Sequence, residues 1–139
     1  MAERLDLGHA LRRFDKLLLD SCVLIDAFKR PTGRLREINR PQRVTSVGSV
    51  WEFLHIEQGR LLPGDERNNR RAWLREQSIR TLPLSPRGTK SFESLLKTEG
   101  PPSVADALLA AECLALGVPV VTSNVRHFEP VRGLRYVAW

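Results

Sequence analysis

Three short apolar stretches of this chain each contain one carboxylic acid. The stretches are residues 17–20, 50–54 and 104–109, and their acids are Asp20, Glu52 and Asp106. A carboxylate buried without a partner destabilises a fold, so acids in core-like sequence normally have a cation or a full set of hydrogen bonds. No Lys or Arg lies within the three stretches, and a shared metal ion is the simplest common partner. The pattern therefore indicates metal-dependent chemistry.

Strand-like and helix-like segments alternate along the chain. Strands are predicted at residues 17–20, 43–47, 79–84, 118–121 and 134–138, the last of them at the edge of the sheet. Helices are predicted at residues 23–28, 49–59, 65–77, 86–97 and 103–116, with Gly59 and Gly117 as C-terminal caps and a break at Pro101-Pro102. This alternation predicts an α/β fold, a three-layer α/β/α domain with a central parallel sheet of four to five strands.

The length of 139 residues, 42% of them hydrophobic, suits a single domain with a substantial core. We expect that domain to span residues 17–139. Residues 1–16 are interpreted as a polar lead-in, which carries mixed charges and no signal-peptide core. No apolar run approaches the roughly 20 residues that span a bilayer, so a cytoplasmic protein is expected.

The chain is basic. Its 22 Lys and Arg against 16 Asp and Glu give a net charge of +6 and a pI near 10.1. Such a charge favours an acidic partner, either nucleic acid or an acidic protein, although a merely basic soluble protein has equal weight on charge alone. Cys22 and Cys113 lack the spacing of a zinc site or a redox pair, so buried, reduced thiols are favoured.

The acids fall where a parallel sheet places its sites. Asp20 ends the first predicted strand, and Asn124 follows the fourth, at the carboxyl ends where open α/β sheets bind ligands. Glu52 and Asp106 lie near the starts of their helices and would face the same edge. Mg²⁺ and Mn²⁺ prefer such oxygen ligands, and a metal held there can activate water and orient a phosphodiester.

Helix capping is the alternative for each acid taken alone, with equal weight. Ser103 to Asp106 and Ser49 to Glu52 both fit a capping box, and Asp20 could cap the following helix. Three acids at one edge, with an amide opposite, favour a site. The three histidines, His9, His55 and His127, share no metal-ligand spacing, and Asp26 is assigned to the surface or to a cap.

Four stretches together carry a family resemblance. They are residues 17–26 (LLLDSCVLID), 45–53 (TSVGSVWEF), 103–111 (SVADALLAA) and 118–128 (VPVVTSNVRHF), followed by Gly133-Leu134. In this order they resemble the PIN domain family, and within it the VapC-like ribonuclease toxins of type II toxin–antitoxin pairs. The resemblance covers most of the chain after residue 16.

The resemblance implies an endoribonuclease that depends on Mg²⁺ or Mn²⁺. It places the family's metal-binding acids at Asp20, Glu52 and Asp106. The family's fourth acid, where present, falls on Asn124, and His127 also replaces an acid found in many relatives. An amide still binds a metal or its water, but one negative charge is missing.

The partners follow from the same resemblance, and the basic residues of the chain indicate candidate RNA contacts. The resemblance implies a homodimer and a small cognate antitoxin whose C-terminal segment wraps the toxin. We expect RNA contacts from Ser21, Thr122, Arg126, Arg67 and Arg71. Further cations that could follow an RNA backbone are Arg70, Arg75, Arg80, Arg87 and Lys90. A solvated helical face is the equal alternative for the arginines of residues 65–77.

Two other functions are weighed against the nuclease. One is a PIN-like RNA- or protein-binding domain with weak or lost catalysis, because the fourth acidic position is Asn124. The other is a nucleotide-binding α/β regulator, which is disfavoured because no glycine-rich phosphate loop follows Asp20.

Overall fold

A computed structural model describes residues 1–98 and 103–139. The strands are β1 (Glu3–Leu5), β2 (Leu17–Leu19), β3 (Arg43–Ser46), β4 (Ile56–Glu57), β5 (Arg60–Leu61), β6 (Arg80–Leu82), β7 (Val120–Thr122) and β8 (Arg135–Ala138). The helices are α1 (Leu7–Arg13), α2 (Ser21–Lys29), α3 (Val47–His55), α4 (Gly64–Glu76), α5 (Pro86–Leu96), α6 (Val104–Leu116) and α7 (Val125–Phe128). The break predicted at Pro101-Pro102 lies outside the described residues. Within the described ranges no helix has the length and apolar character needed to cross a bilayer.

Six parallel strands form the central sheet, in the order β1-β8-β7-β2-β3-β6. β2 lies in the middle, and its three leucines are fully buried. Because side chains alternate along a strand, Leu18 packs into one core cluster while Leu17 and Leu19 pack into the other. Helices therefore cover both faces of the sheet, which confirms the three-layer α/β/α fold with its parallel sheet.

The strand order reverses beside β2. From β2 the chain adds β3 and β6 on one side, then returns to place β7 and β8 on the other. Neighbouring loops leave in opposite directions at such a point, which opens a crevice at the carboxyl ends of the two central strands. The crevice here lies between the ends of β2 and β7, at what we call the carboxyl edge of the sheet.

The sheet has one strand more than the four to five predicted, because residues 3–5 form β1 and pair with β8. As a result β8 is an interior strand, and its prediction as an edge strand was wrong. β1 was not predicted from the sequence, because the strand is only three residues long and two of them, Glu3 and Arg4, are exposed. The division into a lead-in of residues 1–16 and a domain of residues 17–139 stays a prediction.

The cap predicted at Gly59 was also wrong. α3 ends at His55, and the following residues form the antiparallel hairpin β4–β5. Gln58 and Gly59 have φ values of 50° and 74°, the two consecutive positive values of a tight two-residue hairpin turn. By contrast Gly117 ends α6 as predicted, in the left-handed conformation at φ 67°.

α5 and α6 pack closely at a glycine. The buried carboxylate of Glu112 in α6 accepts a hydrogen bond of 3.2 Å from the backbone N–H of Ser85, at the N-terminus of α5. Negative charge is favourable at that end of a helix. Gly88 leaves the space for this approach, since a Cβ there would collide with Oε2 of Glu112 and lie 2.9 Å from Cδ1 of Leu84.

Gly88→Ala should therefore destabilise the protein. The new methyl group must displace Glu112 or separate the two helices, at a cost of about 1–3 kcal/mol in the free energy of unfolding. Urea denaturation measures this change. Gly64→Ala is the matched control, because the nearest atom to a Cβ there is Nη2 of Arg67 at 3.5 Å. Equal urea midpoints for the two variants would contradict the packing described for Gly88.

Candidate active site

Asp20 occupies the crevice between β2 and β7. It follows β2 directly and is the N-cap of α2, where its Oδ1 accepts a hydrogen bond of 2.7 Å from the backbone N–H of Ser21. Its other oxygen accepts hydrogen bonds from Oγ1 of Thr122 at 2.7 Å and from Sγ of Cys22 at 3.2 Å. Only 2% of Asp20 is exposed. The carboxylate is therefore buried and held by donors from two elements.

Thr122 fixes the orientation of that carboxylate. It is the last residue of β7, is 0% exposed, and its hydroxyl oxygen accepts a hydrogen bond of 2.9 Å from the backbone N–H of Asn124. The hydroxyl proton is then directed at Asp20. This burial leaves Thr122 no surface for the RNA contact that we expected of it, and the side chain supports Asp20 instead.

Burial dominates the electrostatics of Asp20. Desolvation raises the pKa of its carboxyl group, the hydrogen bonds from Thr122 and Cys22 lower it, and the negative charge of Asp106 raises it again. The net direction is upward. A hydrogen bond to a charged group contributes about 1.5–3 kcal/mol, which does not offset the loss of hydration here. Both carboxylate oxygens have hydrogen-bond donors, and burial still raises the pKa.

Glu52 reaches the same edge from α3. That helix begins at Val47, and its cap is Ser46, whose Oγ accepts a hydrogen bond of 3.2 Å from the N–H of Ser49. Glu52 thus lies beyond the first turn, and the capping alternative for it was wrong. Its Oε1 accepts a hydrogen bond of 3.1 Å from Oγ of Ser21. Burial raises the pKa of Glu52, as do the charges of Asp106 and Asp20.

Asp106 uses its backbone and its side chain differently. Its N–H donates to Oγ of the cap Ser103 at 3.1 Å, as the capping alternative expected. Its carboxylate does not return to the cap; Oδ2 lies 3.0 Å from Nδ1 of His127. Capping therefore fixes the position of Asp106 on α6 and leaves the carboxylate at the carboxyl edge.

The charge of Asp106 raises the pKa of both Asp20 and Glu52, and the charge of Asp20 also raises the pKa of Glu52. In the described part of the chain, His127 is the only basic side chain within ion-pair distance of any of the three acids. The described residues contain no group of three His, Cys, Asp or Glu side chains arranged closely enough to hold a metal ion as they stand. The donor set consists of carboxylate oxygens, and those of Asp20 and Glu52 form no ion pair with any described residue. It fits Mg²⁺ or Mn²⁺ bound by one or two carboxylates, with water completing the coordination shell.

The remaining site residues fall into two environments. Asn124 is exposed at the start of α7, and its side chain makes no capping hydrogen bond. Arg126 is exposed two residues further along the chain, and Ser21 is partly exposed between Asp20 and Glu52. These side chains are open to a ligand at the carboxyl edge.

The arginines of α4 do not form one solvated surface. Arg71 is exposed and donates to Asn68, while Nη1 of Arg67 donates to the carbonyl of Leu62 at 2.6 Å. Arg70 is only 3% exposed; it donates to the carbonyl of Phe53 at 3.0 Å and to Glu57 at 2.7 Å. Arg70 therefore ties α4 to α3, and its expected contact with RNA was wrong.

Two residues of the site were missed as participants from the sequence. Cys22 donates to Asp20, and its Sγ accepts from the N–H of Ser123 at 3.4 Å; both cysteines are free, as predicted. His127 shares no metal-ligand spacing with the other histidines, yet its Nδ1 lies 3.0 Å from Oδ2 of Asp106. The contact joins α7 to α6, so spacing along the chain gave no signal for it.

A family model described as PIN domain matches residues 17–134. No curated protein matches the chain significantly.

Several solved structures share the fold. The DNA-bound VapBC from Salmonella typhimurium has a TM-score of 0.71 at 20% identity, covering 91% of this chain and 99% of that chain. VapBC-1 from nontypeable Haemophilus influenzae has a TM-score of 0.70 at 18% identity, covering 88% and 97%. A toxin–antitoxin complex from Klebsiella pneumoniae has a TM-score of 0.62 at 20% identity, covering 86% and 94%.

Thr122→Val should raise the pKa of Asp20 further. The substitution keeps the shape of the side chain and removes the hydrogen bond that lowers this pKa, so the protonated form gains relative to the charged one. Carbon-13 NMR titration of the Asp20 carboxyl group measures the shift. Thr45→Val is the matched control, because that buried hydroxyl donates to the carbonyl of Leu19 at 2.7 Å. An unchanged Asp20 pKa in Thr122→Val would contradict the role given to Thr122.

Proposed function

The chain belongs to the PIN domain family, and we propose that it is a Mg²⁺- or Mn²⁺-dependent endoribonuclease that acts as the toxin of a toxin–antitoxin pair. PIN domains are generally nucleases. One observation carries the proposal: buried Asp20 meets the charges of Glu52 and Asp106 at the carboxyl edge, where strand order reverses. Mutually repelling carboxylates without a nearby Lys or Arg, among the residues described, favour a bound divalent cation.

In this proposal Asp20 and Asp106 hold the metal, Glu52 assists, and Asn124 orients a water molecule of the metal. When bound there, a divalent cation would supply Lewis acidity and charge neutralisation for phosphodiester hydrolysis. Thr122 and Ser21 support this arrangement, since their hydroxyl groups direct Asp20 and Glu52 towards the crevice. His127 holds the carboxylate of Asp106 at 3.0 Å.

The basic charge of the protein supports RNA as the substrate. A net charge of +6 attracts a polyanion, and Arg126 is exposed in α7, the helix whose His127 contacts Asp106. Arg71 and Arg67 are more distant candidates for the RNA backbone. Cleavage of RNA rather than DNA rests on the resemblance to VapC-like ribonucleases.

A small cognate antitoxin and a homodimer complete the proposal. The shared fold with the VapBC structures and with the toxin–antitoxin complex from Klebsiella pneumoniae supports the antitoxin. The expected place of action is the cytoplasm, where such a toxin meets cellular RNA.

Asn124 supports a second candidate, a PIN-like domain that binds RNA or a protein with weak or lost catalysis. This residue is exposed at the edge of the crevice, and its amide adds no negative charge there. A site with one carboxylate fewer holds a divalent cation less tightly. The two candidates share the fold and differ in metal affinity and turnover.

Asp20→Asn and Asp106→Asn should each lower RNA cleavage more than about 100-fold, because each removes charge that holds the metal at the reacting phosphate. Asp15→Asn is the control, because it makes the same change in charge at a side chain that is 80% exposed. Asp15 lies in the loop before β2, at the amino ends of the strands and away from the carboxyl edge. Cleavage of a folded RNA is measured against added Mg²⁺ or Mn²⁺.

Thermal unfolding separates loss of the metal from loss of the fold. Mg²⁺ or Mn²⁺ should raise the midpoint of the wild type and of Asp15→Asn, because the metal binds only the folded state. The midpoint of Asp20→Asn should not respond. Full cleavage by both site variants, or an equal metal response in Asp20→Asn, would overturn the assignment.

Asn124→Asp should raise the affinity for Mn²⁺ by about tenfold. Groups that hydrogen-bond to metal ligands change metal affinity by about this factor. Calorimetric titration measures the affinity, and the same protein is assayed for cleavage. Higher activity together with tighter binding would favour the weakened-catalysis candidate for the natural chain. No change in either would remove Asn124 as the reason for weak catalysis.

A further inference from the structure

A groove leaves the candidate active site along α2. Its lining includes Cys22 and Ser123 at one end, Ile25 in the middle, and Arg30, Arg34 and Trp139 at the other end. We call these six residues the α2 groove. At 1.5 Å per residue, the helix from Cys22 to Arg30 spans about 12 Å.

The near end of the α2 groove touches the carboxylate that carries the proposed function. Sγ of Cys22 lies 3.2 Å from Oδ2 of Asp20, and the N–H of Ser123 donates to the same sulfur at 3.4 Å. A strand whose reacting phosphate lay at Asp20 would pass Cys22 and Ser123 on leaving the site in this direction. The groove thus borders the crevice, with Cys22 in contact with Asp20.

The far end presents a fixed guanidinium group. The Trp139 ring is held by a hydrogen bond of 2.8 Å from its Nε1–H to Oδ2 of Asp26, and its backbone N–H donates to the carbonyl of Thr122 at 2.9 Å. Cζ of Arg34 lies 5.0 Å from the centre of that ring. An arginine stacked on an aromatic ring keeps its N–H edges available for a phosphate.

The charge at this end is positive. Arg34 makes no ion pair with any residue of the described ranges, and the Arg30 side chain is 79% exposed with a contact of 3.6 Å to Asp26. The other carboxylate at the groove, Glu57, is already occupied, since Lys29 lies at 2.8 Å and Arg70 at 2.7 Å. Both exposed arginines therefore remain able to bind an anion.

We propose that Arg34 and Arg30 form a subsite for a flanking phosphate of the RNA strand, with Trp139 as the residue that positions Arg34. The subsite rests on the proposed ribonuclease function and specifies where the strand leaves the active site. Single-stranded RNA fits the groove because the strand offers repeated phosphates to the two guanidinium groups, and bases that stack on a guanidinium plane. An acidic peptide from a partner protein is the competing occupant.

The test uses full-length Asp20→Asn protein, which retains the groove and does not cleave, and a short fluorescein-labelled single-stranded RNA of mixed sequence. Adding Arg34→Ala should weaken binding about five- to tenfold by fluorescence anisotropy and lower the slope of log affinity against log salt by about 0.7, as for one lost phosphate contact. Arg34→Lys should restore part of the affinity. Arg132→Ala, at an exposed residue before β8 and away from the carboxyl edge, should have little effect.

Kinetics in the catalytic background give a second readout. Arg34→Ala should raise KM for RNA cleavage with kcat nearly unchanged, because the contact is equal in the bound substrate and the transition state. A fall in kcat alone would overturn the subsite.

The outcomes separate the two levels of the proposal. If Asp20→Asn protein binds no RNA, the proposed function fails and the subsite fails with it. If the Asp20→Asn protein binds RNA and the double variant with Arg34→Ala binds equally well, only the subsite is overturned. A labelled polyglutamate peptide serves as the acidic-peptide probe: loss of peptide binding in Arg34→Ala with RNA binding intact would assign the α2 groove to a protein partner instead.

Discussion

The burial of Asp20 is the constraint on which the rest of the site depends. Its carboxylate lies between the ends of β2 and β7, and its donors come from both sides of that crevice: Ser21 and Cys22 on α2, and Thr122 on β7. These bonds orient the group without compensating for its lost hydration, so its pKa is raised. A buried carboxylate of this kind motivates the proposal of a bound cation.

Helix capping and site formation are compatible in this protein, although the sequence presents them as alternatives. Asp20 caps α2 with one oxygen and directs the other into the crevice. Asp106 receives its cap through the backbone, so its carboxylate remains for His127 or a metal. Glu52 caps nothing and is held by Ser21. The caps thus fix where each helix begins, and so where each carboxylate points.

The sequence predicts the features that depend on neighbouring residues. Local patterns predict the apolar run of β2, the caps Ser103 and Gly117, and the parallel sheet. The structure confirms the α/β/α fold that these features predict. Features set by distant contacts could not. β1 is too short and polar to show a pattern, Arg70 is buried only because α4 packs on α3, and Trp139 meets Asp26 from the other end of the chain. The roles of the site residues stay predictions until a metal and an RNA are observed.

The most direct test of the account is a crystal structure of the protein grown with Mn²⁺, with anomalous scattering recorded at the manganese edge. The account predicts an anomalous peak in the crevice between β2 and β7, within coordination distance of carboxylate oxygens of Asp20 and Asp106, with Glu52 beside it. A saturated crystal whose manganese lay elsewhere, or whose crevice held none, would contradict the claim that the buried carboxylate exists to bind a metal.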